Sequence, residues 1–366
     1  MTTSAAPLSV LVLCRYARLG ASSRLRFLDY LPALAERGIT TTVSPFFDDA
    51  YLRAYYAGGR DLTAVLRAYG RRLWALLRAG RYDVLWIEKE ALPWLPGGWE
   101  RWLLGSRPYV LDFDDAWSLR YGMHRSAMVR RLLGDKWRRL LPQAVTTICG
   151  NDGLATWAQD NGALRTVQIP TVIDLERYPP RPSPDNDVFT VGWIGTRSTL
   201  PHLASVGEAL AQLCASGPAR LRLIANQPLD LPGVPVDFIS WREDIEAELL
   251  AGIDVGIMPL PDQPWERGKC AYKLIQYMAA GRPVVASPVG ANAEVVVNGE
   301  TGLLATTTAE WLTALQRLRA DPALRAAMGA AGRHRVEQRY CLQVQADHLA
   351  ETLRSAGGDG VAPHRC

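Results

Sequence analysis

The chain alternates short apolar runs with stretches of helical period, does so twice, and breaks between the two series at residues 169–187, IPTVIDLERYPPRPSPDND. The break is Pro-rich and polar toward its end, as a linker between domains is. Before it, residues 9–14 (SVLVLC), 39–44, 82–87 (YDVLWI), 108–113 and 144–149 read as strands, and 23–37, 62–79 and 124–141 carry helical spacing. After it, strands are expected at 189–194, 221–225, 235–239, 253–258 and 283–286. Helices are expected at 200–215, 243–251, 271–280, 309–319, 322–335 and 341–355. Nearly continuous apolar strands separated by helices predict parallel sheets covered on both faces. The expected fold class is α/β: two Rossmann-like parallel-sheet domains, residues 1–170 and 188–339, joined by a linker at 171–187. Two such domains place a cleft between them, and ligands bind open α/β sheets at the C-terminal strand ends.

The 366 residues suit two domains and allow a third. Apolar residues make up 48% and charged residues 21%, which excludes wholesale disorder and collagen-like sequence. No apolar run approaches the ~20 residues of a membrane-spanning helix. The opening segment MTTSAAPLSVLVLCRY has no basic region ahead of its apolar stretch. Neither a signal nor a transit peptide is expected there. Cys14, Cys149, Cys214, Cys270, Cys341 and Cys366 are scattered, which argues against a zinc site and for reduced thiols in the cytoplasm. Residues 1–170 hold 23 Lys+Arg against 15 Asp+Glu, a net of +8, whereas the whole chain is only +4. A basic first half and an acidic second half suggest different partners for each. Only Lys89, Lys136, Lys269 and Lys273 are lysine, so a lysine here is less readily generic surface charge.

Two of those lysines fall in residues 265–281, WERGKCAYKLIQYMAAG. With Gly268 as helix entry, Lys269, Lys273 and Gln276 share one stripe, and Leu274, Ile275 and Met278 form the apolar face. Lysines in a first helical turn oppose the positive end of the dipole unless an anion is bound; the alternative is simple solvation. Residues 192–199, GWIGTRST, form a Gly-bearing turn after a strand. Backbone N–H groups near Gly195, hydroxyls from Thr196, Ser198 and Thr199, and Arg197 could meet a phosphate there, or the Ser/Thr residues could merely cap a helix. The segment is not G-x-G-x-x-G, which counts against a nicotinamide dehydrogenase.

Residues 20–26, GASSRLR, form a similar turn after the first strand, and would either line the cleft or cap a helix through Ser22 or Ser23. Asp112, Asp114 and Asp115 (DFDD) follow another strand. They could hold a divalent cation, serve a sugar hydroxyl, or form a solvated acidic turn. Arg125, Arg130, Arg131, Lys136, Arg138 and Arg139 share a helical stretch with Met128, Leu132, Leu133 and Trp137. This stretch reads as a face for an anionic membrane or as a surface helix packing inward. No nucleic-acid-binding signature accompanies the basic charge. His124, His202, His334, His348 and His364 show no ligand spacing, and only His124 lies near proposed chemistry.

Taken together, these motifs resemble the family 4 glycosyltransferases (group 1) of the GT-B fold. IPTVIDLERYPP is similar to that family's interdomain connection, with Thr171 where Asn is usual. GWIGTRST is similar to its diphosphate loop. DIEAELLAGIDVGIMPLP and KLIQYMAAGRPVVASPVGANAEVVVNGETGLLA are similar to its donor-site block, and GRHRVEQRY to the entry of its last helix. The resemblance implies a retaining, metal-independent transferase with no cofactor beyond a nucleoside-diphosphate sugar as donor. A helix over 340–356 would pack back on the first domain. Donor contacts would come from Gly195, Thr196, Arg197, Trp241, Glu266, Lys269, Lys273, Gln276, Gly290, Asn292 and Glu294. Gln276 stands where the family has its second glutamate and Gly268 where it has its first. DFDD replaces a histidine, so Asp114 or Asp115 would join Arg197 and Lys273 in catalysis. Gly20, Ser22, Arg24, Lys89 and His124 would face the acceptor, a glycan or lipid-linked glycan of surface polysaccharide or glycolipid assembly. Nucleic acid is not an expected partner; an anionic membrane surface at the inner face is. The alternatives are an epimerase or phosphorylase of the same fold, or a non-catalytic nucleotide-sugar-binding subunit.

Overall fold

The computed structural model describes residues 7–59, 61–182, 184 and 186–358; Cys366 and His364 lie outside them. The chain forms two compact units, one from residues up to Thr171 together with those from Gln345, the other from Val172–Val344. Unit 1 holds six parallel strands, β1 (Leu8–Leu13), β2 (Ile39–Val43), β3 (Val84–Glu88), β4 (Tyr109–Phe113), β5 (Thr146–Cys149) and β6 (Thr166–Gln168), in the order β2-β1-β3-β4-β5-β6. Unit 2 holds β7 (Phe189–Ile194), β8 (Ala219–Ala225), β9 (Val236–Ser240), β10 (Val255–Met258), β11 (Val284–Ala286) and β12 (Gly302–Leu304), in the order β12-β11-β10-β7-β8-β9. Its strands are also all parallel.

Every residue of β3, β4, β5, β7 and β10 is buried, which is why these segments read as continuous apolar runs. Edge strands β2 and β9 expose alternate residues. In each sheet the strand order reverses at one place: beside β1 and β3 in unit 1, and beside β7 and β10 in unit 2. Ligands of open parallel sheets bind outside the C-terminal strand ends at such reversals. The segments that matter are therefore those following β1, β3 and β4, and those following β7 and β10.

Three helices expected to be continuous are broken. The 23–37 stretch divides into Ala21–Arg26 and Leu31–Glu36 around a 3-10 turn, with Pro32 starting the second piece. The 124–141 stretch divides into Ala127–Leu133 and Lys136–Leu140 at Gly134, where a Cβ would lie 2.4 Å from the Arg130 carbonyl oxygen. Lys136 and Trp137 then point inward, at 0% and 2% exposure, so they cannot belong to the basic surface face expected of this stretch. The 200–215 stretch divides at residues 205–206. Helices Asp49–Tyr56, Gly97–Leu104 and Asp152–Asp160 and strands β6 and β12 were not anticipated. The final helix, Leu342–Gly358, packs on unit 1 through its later turns: Arg37 Nε donates to Asp347 at 2.6 Å, and a Cβ on Gly357 would lie 2.6 Å from Leu8.

The core of unit 2 reaches its strand end through one close approach. Tyr277 is fully buried, its ring packs over Gly256 in β10, and its hydroxyl accepts the Ile194 N–H at 3.0 Å. A Cβ at position 256 would lie 2.2 Å from that ring. Gly256→Ala should therefore displace Tyr277 and loosen the end of β7, at a cost of about 1–3 kcal/mol. Urea unfolding checks this; an unchanged midpoint would mean the ring has room to move.

Candidate functional site

At the reversal in unit 1, three consecutive charged residues leave the end of β3. Glu88, Lys89 and Glu90 are all buried, and Lys89 adopts a left-handed backbone at φ 60°. Each charge is met from within the unit. Lys89 Nζ lies 2.7 Å from Asp114 and 3.8 Å from both Asp115 and Glu88. Burial opposes the ammonium, but these carboxylates outweigh it and hold Lys89 above its ordinary range. Asp114 is held low against its own burial by Lys89, with Arg26 and the Ser22 hydroxyl assisting. Ser22 Oγ lies 2.7 Å from Asp114 and 2.9 Å from Glu88; one hydroxyl proton can serve only one of them at a time. Glu88 also accepts from Ser23 Oγ at 2.5 Å and from the Arg15 N–H at 2.7 Å. Asp112 takes Arg26 at 2.6 Å and the Trp86 N–H at 3.2 Å. Glu90 accepts from Lys136, Trp117 and Tyr121, and Lys136 bridges onward to Glu100 at 2.9 Å.

This network changes several expectations. Ser22 and Ser23 do not cap their helix, whose N-cap Gly20 makes no side-chain bond; they turn to Glu88 and Asp114. Gly20 is required because a Cβ there would sit 2.2 Å from Tyr16. The DFDD carboxylates are met by Arg26 and Lys89, and no group of three or more His, Cys, Asp or Glu among the described residues is arranged to hold a metal. His124 accepts the Ser126 N–H through Nδ1 at 3.1 Å and packs edge-on against Trp94, a capping position. Arg24 is buried, and Asp115 keeps 30% of its side chain exposed. Trp117 had not been singled out: Arg15 and Arg120 each lie 4.4 Å from its ring centroid, and Lys89 Nζ lies 5.0 Å away. The run of three charges directly after an apolar strand was the available signal.

At the reversal in unit 2, loop 195–199 follows β7. Gly195 packs so closely that a Cβ would lie 2.3 Å from the Trp193 ring. Four of the loop's five amides are already used: Gly195 N–H on Ile224 O, Thr196 N–H on Thr199 Oγ1, Arg197 N–H on Asn226 Oδ1, and Thr199 N–H on Thr196 O. The loop therefore offers the exposed Arg197 side chain and hydroxyls rather than the backbone cradle its glycine suggested. The helix expected to begin at Gly268 begins at Tyr272, after Ala271 turns left-handed at φ 53°. Lys269 lies in the connection before it, not on its stripe.

Lys269 and Lys273 are nevertheless close enough to interact. Lys273 Nζ sits 5.5 Å over Trp193, and no carboxylate lies within ion-pair distance among the described residues. Burial, then the charge on Lys269, pushes Lys273 down to about 8. His202, from the helix after the loop, joins them: its Nε2 lies 3.7 Å from Glu266 Oε1, and burial pushes its ring below the ordinary value. Glu266 is buried, and its Oε2 has no hydrogen-bond partner. Gln276, also buried, reaches the Tyr178 hydroxyl, which donates to Glu246 at 2.5 Å; Glu246 in turn accepts from Trp241 Nε1 at 2.7 Å. Trp241 is thus pinned by its N–H with its ring partly exposed. Gly290 admits no side chain, since a Cβ would lie 2.4 Å from Arg267 O. Asn292 donates to Ser287 O at 3.1 Å, and Glu294 is half-buried on the same short helix, Ala291–Val295. Pairing His202 with Glu266 and Glu246 with Tyr178 escaped the sequence reading because the members of each pair are distant in sequence.

The model of the family described as glycosyl transferases group 1 matches residues 190–321, within unit 2. The D-inositol 3-phosphate glycosyltransferase of Rhodococcus jostii is 42% identical over 85 residues, 22% of this chain and 18% of that protein. The GDP-mannose-dependent alpha-(1-6)-phosphatidylinositol dimannoside mannosyltransferase of Mycobacterium tuberculosis is 30% identical over 153 residues, 37% of this chain and 39% of that protein. The chain therefore spans less than half the length of these relatives. Among solved structures, Anabaena HepE in complex with UDP and glucose superposes with a TM-score of 0.71 at 19% identity, covering 95% of this chain and all of that one. The fold is GT-B, two Rossmann-like parallel-sheet domains.

The unit 1 cluster makes a direct prediction. Lys89→Met strands Asp114 and its neighbours in a buried site and should cost about 3–5 kcal/mol. Adding Asp114→Asn should recover part of that loss in denaturant unfolding; strictly additive losses would mean the two do not form a coupled pair.

Proposed function

We propose that the chain is a retaining glycosyltransferase that moves a sugar from a nucleoside-diphosphate sugar to an acceptor hydroxyl without a metal. Unit 2 takes the donor and unit 1 the acceptor. The observation that carries this reading is Lys273: a half-buried ammonium 5.5 Å over the Trp193 ring, with Lys269 near enough to help push it down to about 8. A cation held at that cost is stabilised by an arriving dianion. As the glycosidic bond to the diphosphate breaks, negative charge grows on the leaving oxygens, where Lys273, Lys269 and Arg197 offset it. Trp241 offers its partly exposed ring to the base, and Gln276 acts through Tyr178 and Glu246 to hold that indole in place. Glu266 stands two residues before the position where the family places its first acid. Its unsatisfied Oε2, with His202 beside it, is suited to a sugar hydroxyl. On the acceptor side, Asp115 and Ser22 lie next to Lys89, within reach of an incoming hydroxyl at the strand ends. The acceptor in this reading is a glycan or lipid-linked glycan, handled in the cytoplasm at an anionic membrane surface; the name of the mannosyltransferase relative, which includes a phosphatidylinositol dimannoside, supports that class.

The first experiment is thermal-shift screening against nucleoside diphosphates and their sugars, since ligands of the native state raise the melting temperature. It is followed by transfer assays with EDTA present. No shift with any nucleotide would remove the reading, and activity lost to EDTA and restored by Mn²⁺ would remove its metal independence.

The Lys273 pKa gives the pH dependence a sign. The group is cationic below about 8 and neutral above, so nucleoside-diphosphate affinity should fall as pH rises from 7 to 9.5, with net proton uptake on binding above pH 8. Without ligand, the same depressed pKa makes unit 2 gain stability as pH rises through 8 toward 10.5. Lys273→Met should weaken UDP or GDP binding about tenfold or more at pH 7 and flatten the profile. Calorimetry in buffers of different ionisation enthalpy reads both. Glu266→Gln should lower kcat/KM for the sugar nucleotide about tenfold while leaving nucleoside-diphosphate affinity within twofold; equal losses in both would assign Glu266 to the diphosphate instead.

A further inference from the structure

Large apolar side chains are exposed very unevenly. Of 17 among the described residues, 15 belong to unit 1 and only Phe238 and Trp241 to unit 2. Parallel strands joined by right-handed crossovers place the connections after β2, β3 and β4 on one face of the unit 1 sheet. Those connections carry Leu62–Leu77, Gly97–Leu104, Ala127–Leu133 and Lys136–Leu140, and neighbouring members of the set pack together. The first three bury one side and leave apolar groups on the other, whereas Lys136–Leu140 exposes only Arg138 and Arg139. Leu62, Leu66, Leu73 and Leu77 form a single stripe on the first helix. Trp99 and Trp102 stand out from the second at 63% and 73% exposure, and Met128 and Leu132 from the third. Trp99, Trp102 and Leu132 line one open depression of about 560 Å³ together with Arg131, Arg139 and Asp135.

The charge on this face is predominantly positive: Asp135, paired with Arg139, and Asp61, paired with Arg67, sit at helix ends among the arginines. Within the four helices the only acid is Glu100, and it is buried against Lys136. Seven exposed arginines remain, Arg101, Arg131 and Arg139 among those nearest the tryptophans. Tryptophan and leucine ringed by arginine suit a surface with an apolar interior and anionic headgroups. A second copy of the chain is disfavoured, because a two-fold contact would set these arginines against themselves.

We infer that the outer helical face of unit 1, centred on Trp99, Trp102 and Leu132, docks into the headgroup region of an anionic phospholipid bilayer. This gives the membrane partner of the proposed function a specific surface. It also moves that surface from the 124–141 stretch alone to three adjacent helices, with Lys136 and Trp137 beneath it.

Vesicle flotation of the full chain tests this without any sugar nucleotide, so its failure leaves the transfer reading standing and the reverse holds too. The protein should float with vesicles of phosphatidylcholine and phosphatidylglycerol at low salt, and less so with phosphatidylcholine alone or at high salt. Trp99→Ser with Trp102→Ser should reduce partitioning at least tenfold while the melting temperature stays near that of the parent. Arg131→Gln with Arg139→Gln should reduce it only on anionic vesicles. In the unmodified chain, brominated lipids should quench tryptophan emission, which keeps the test available if the double variant folds poorly. Absence of flotation on anionic vesicles would overturn the inference. So would a stable dimer in sedimentation that the tryptophan substitutions abolish.

Discussion

An ammonium or carboxylate taken out of water must be met by opposite charge, and the two units handle this demand in opposite ways. Unit 1 closes its account internally: Lys89 with Asp114, Arg26 with Asp112, Lys136 with Glu90 and Glu100. Unit 2 draws Lys273 partly out of water over an aromatic ring and sets a second lysine near it. A neutralised network holds strand ends rigid, whereas an incompletely neutralised cation is a standing preference for an anion. The first arrangement is complete without a ligand; the second is the one that the proposed function assigns to an anion.

The two are linked to their sheets by similar means. In unit 1 the charged triplet sits directly on the last turn of β3, and its partners come from the segments after β1 and β4. In unit 2 Tyr277 connects the helix carrying Lys273 to the end of β7 through the Ile194 amide. Gly256 makes that connection possible by leaving room for the ring. The strand order thus decides which segments can meet, and a few close contacts fix where their side chains point.

Most strands of both sheets were legible because buried parallel strands are apolar along their whole length. Short edge strands such as β12 and helices such as Gly97–Leu104, which opens on two glycines, carry too little local signal. The lysine cluster was visible from the scarcity of lysine. Its geometry was not, because the left-handed turn at Ala271 has no glycine to announce it. Likewise the Gly-bearing loop after β7 suggested free amides, and only tertiary structure brings Asn226 across to occupy one of them. Local pattern reports which residues lie near a strand end; which hydrogen bonds are already spent there is a non-local fact.

The scarcity of lysine has a practical corollary. Of four side-chain amines, Lys89 and Lys136 are enclosed by carboxylates and held protonated. Lys273, by contrast, is pushed down to about 8 and so is more nucleophilic than either of these near that pH. Mild acylating reagents near pH 8 should therefore label Lys273 well ahead of Lys89 and Lys136, and an anion held beside it would slow that labelling. The same chemistry offers a handle for a covalent probe directed to unit 2.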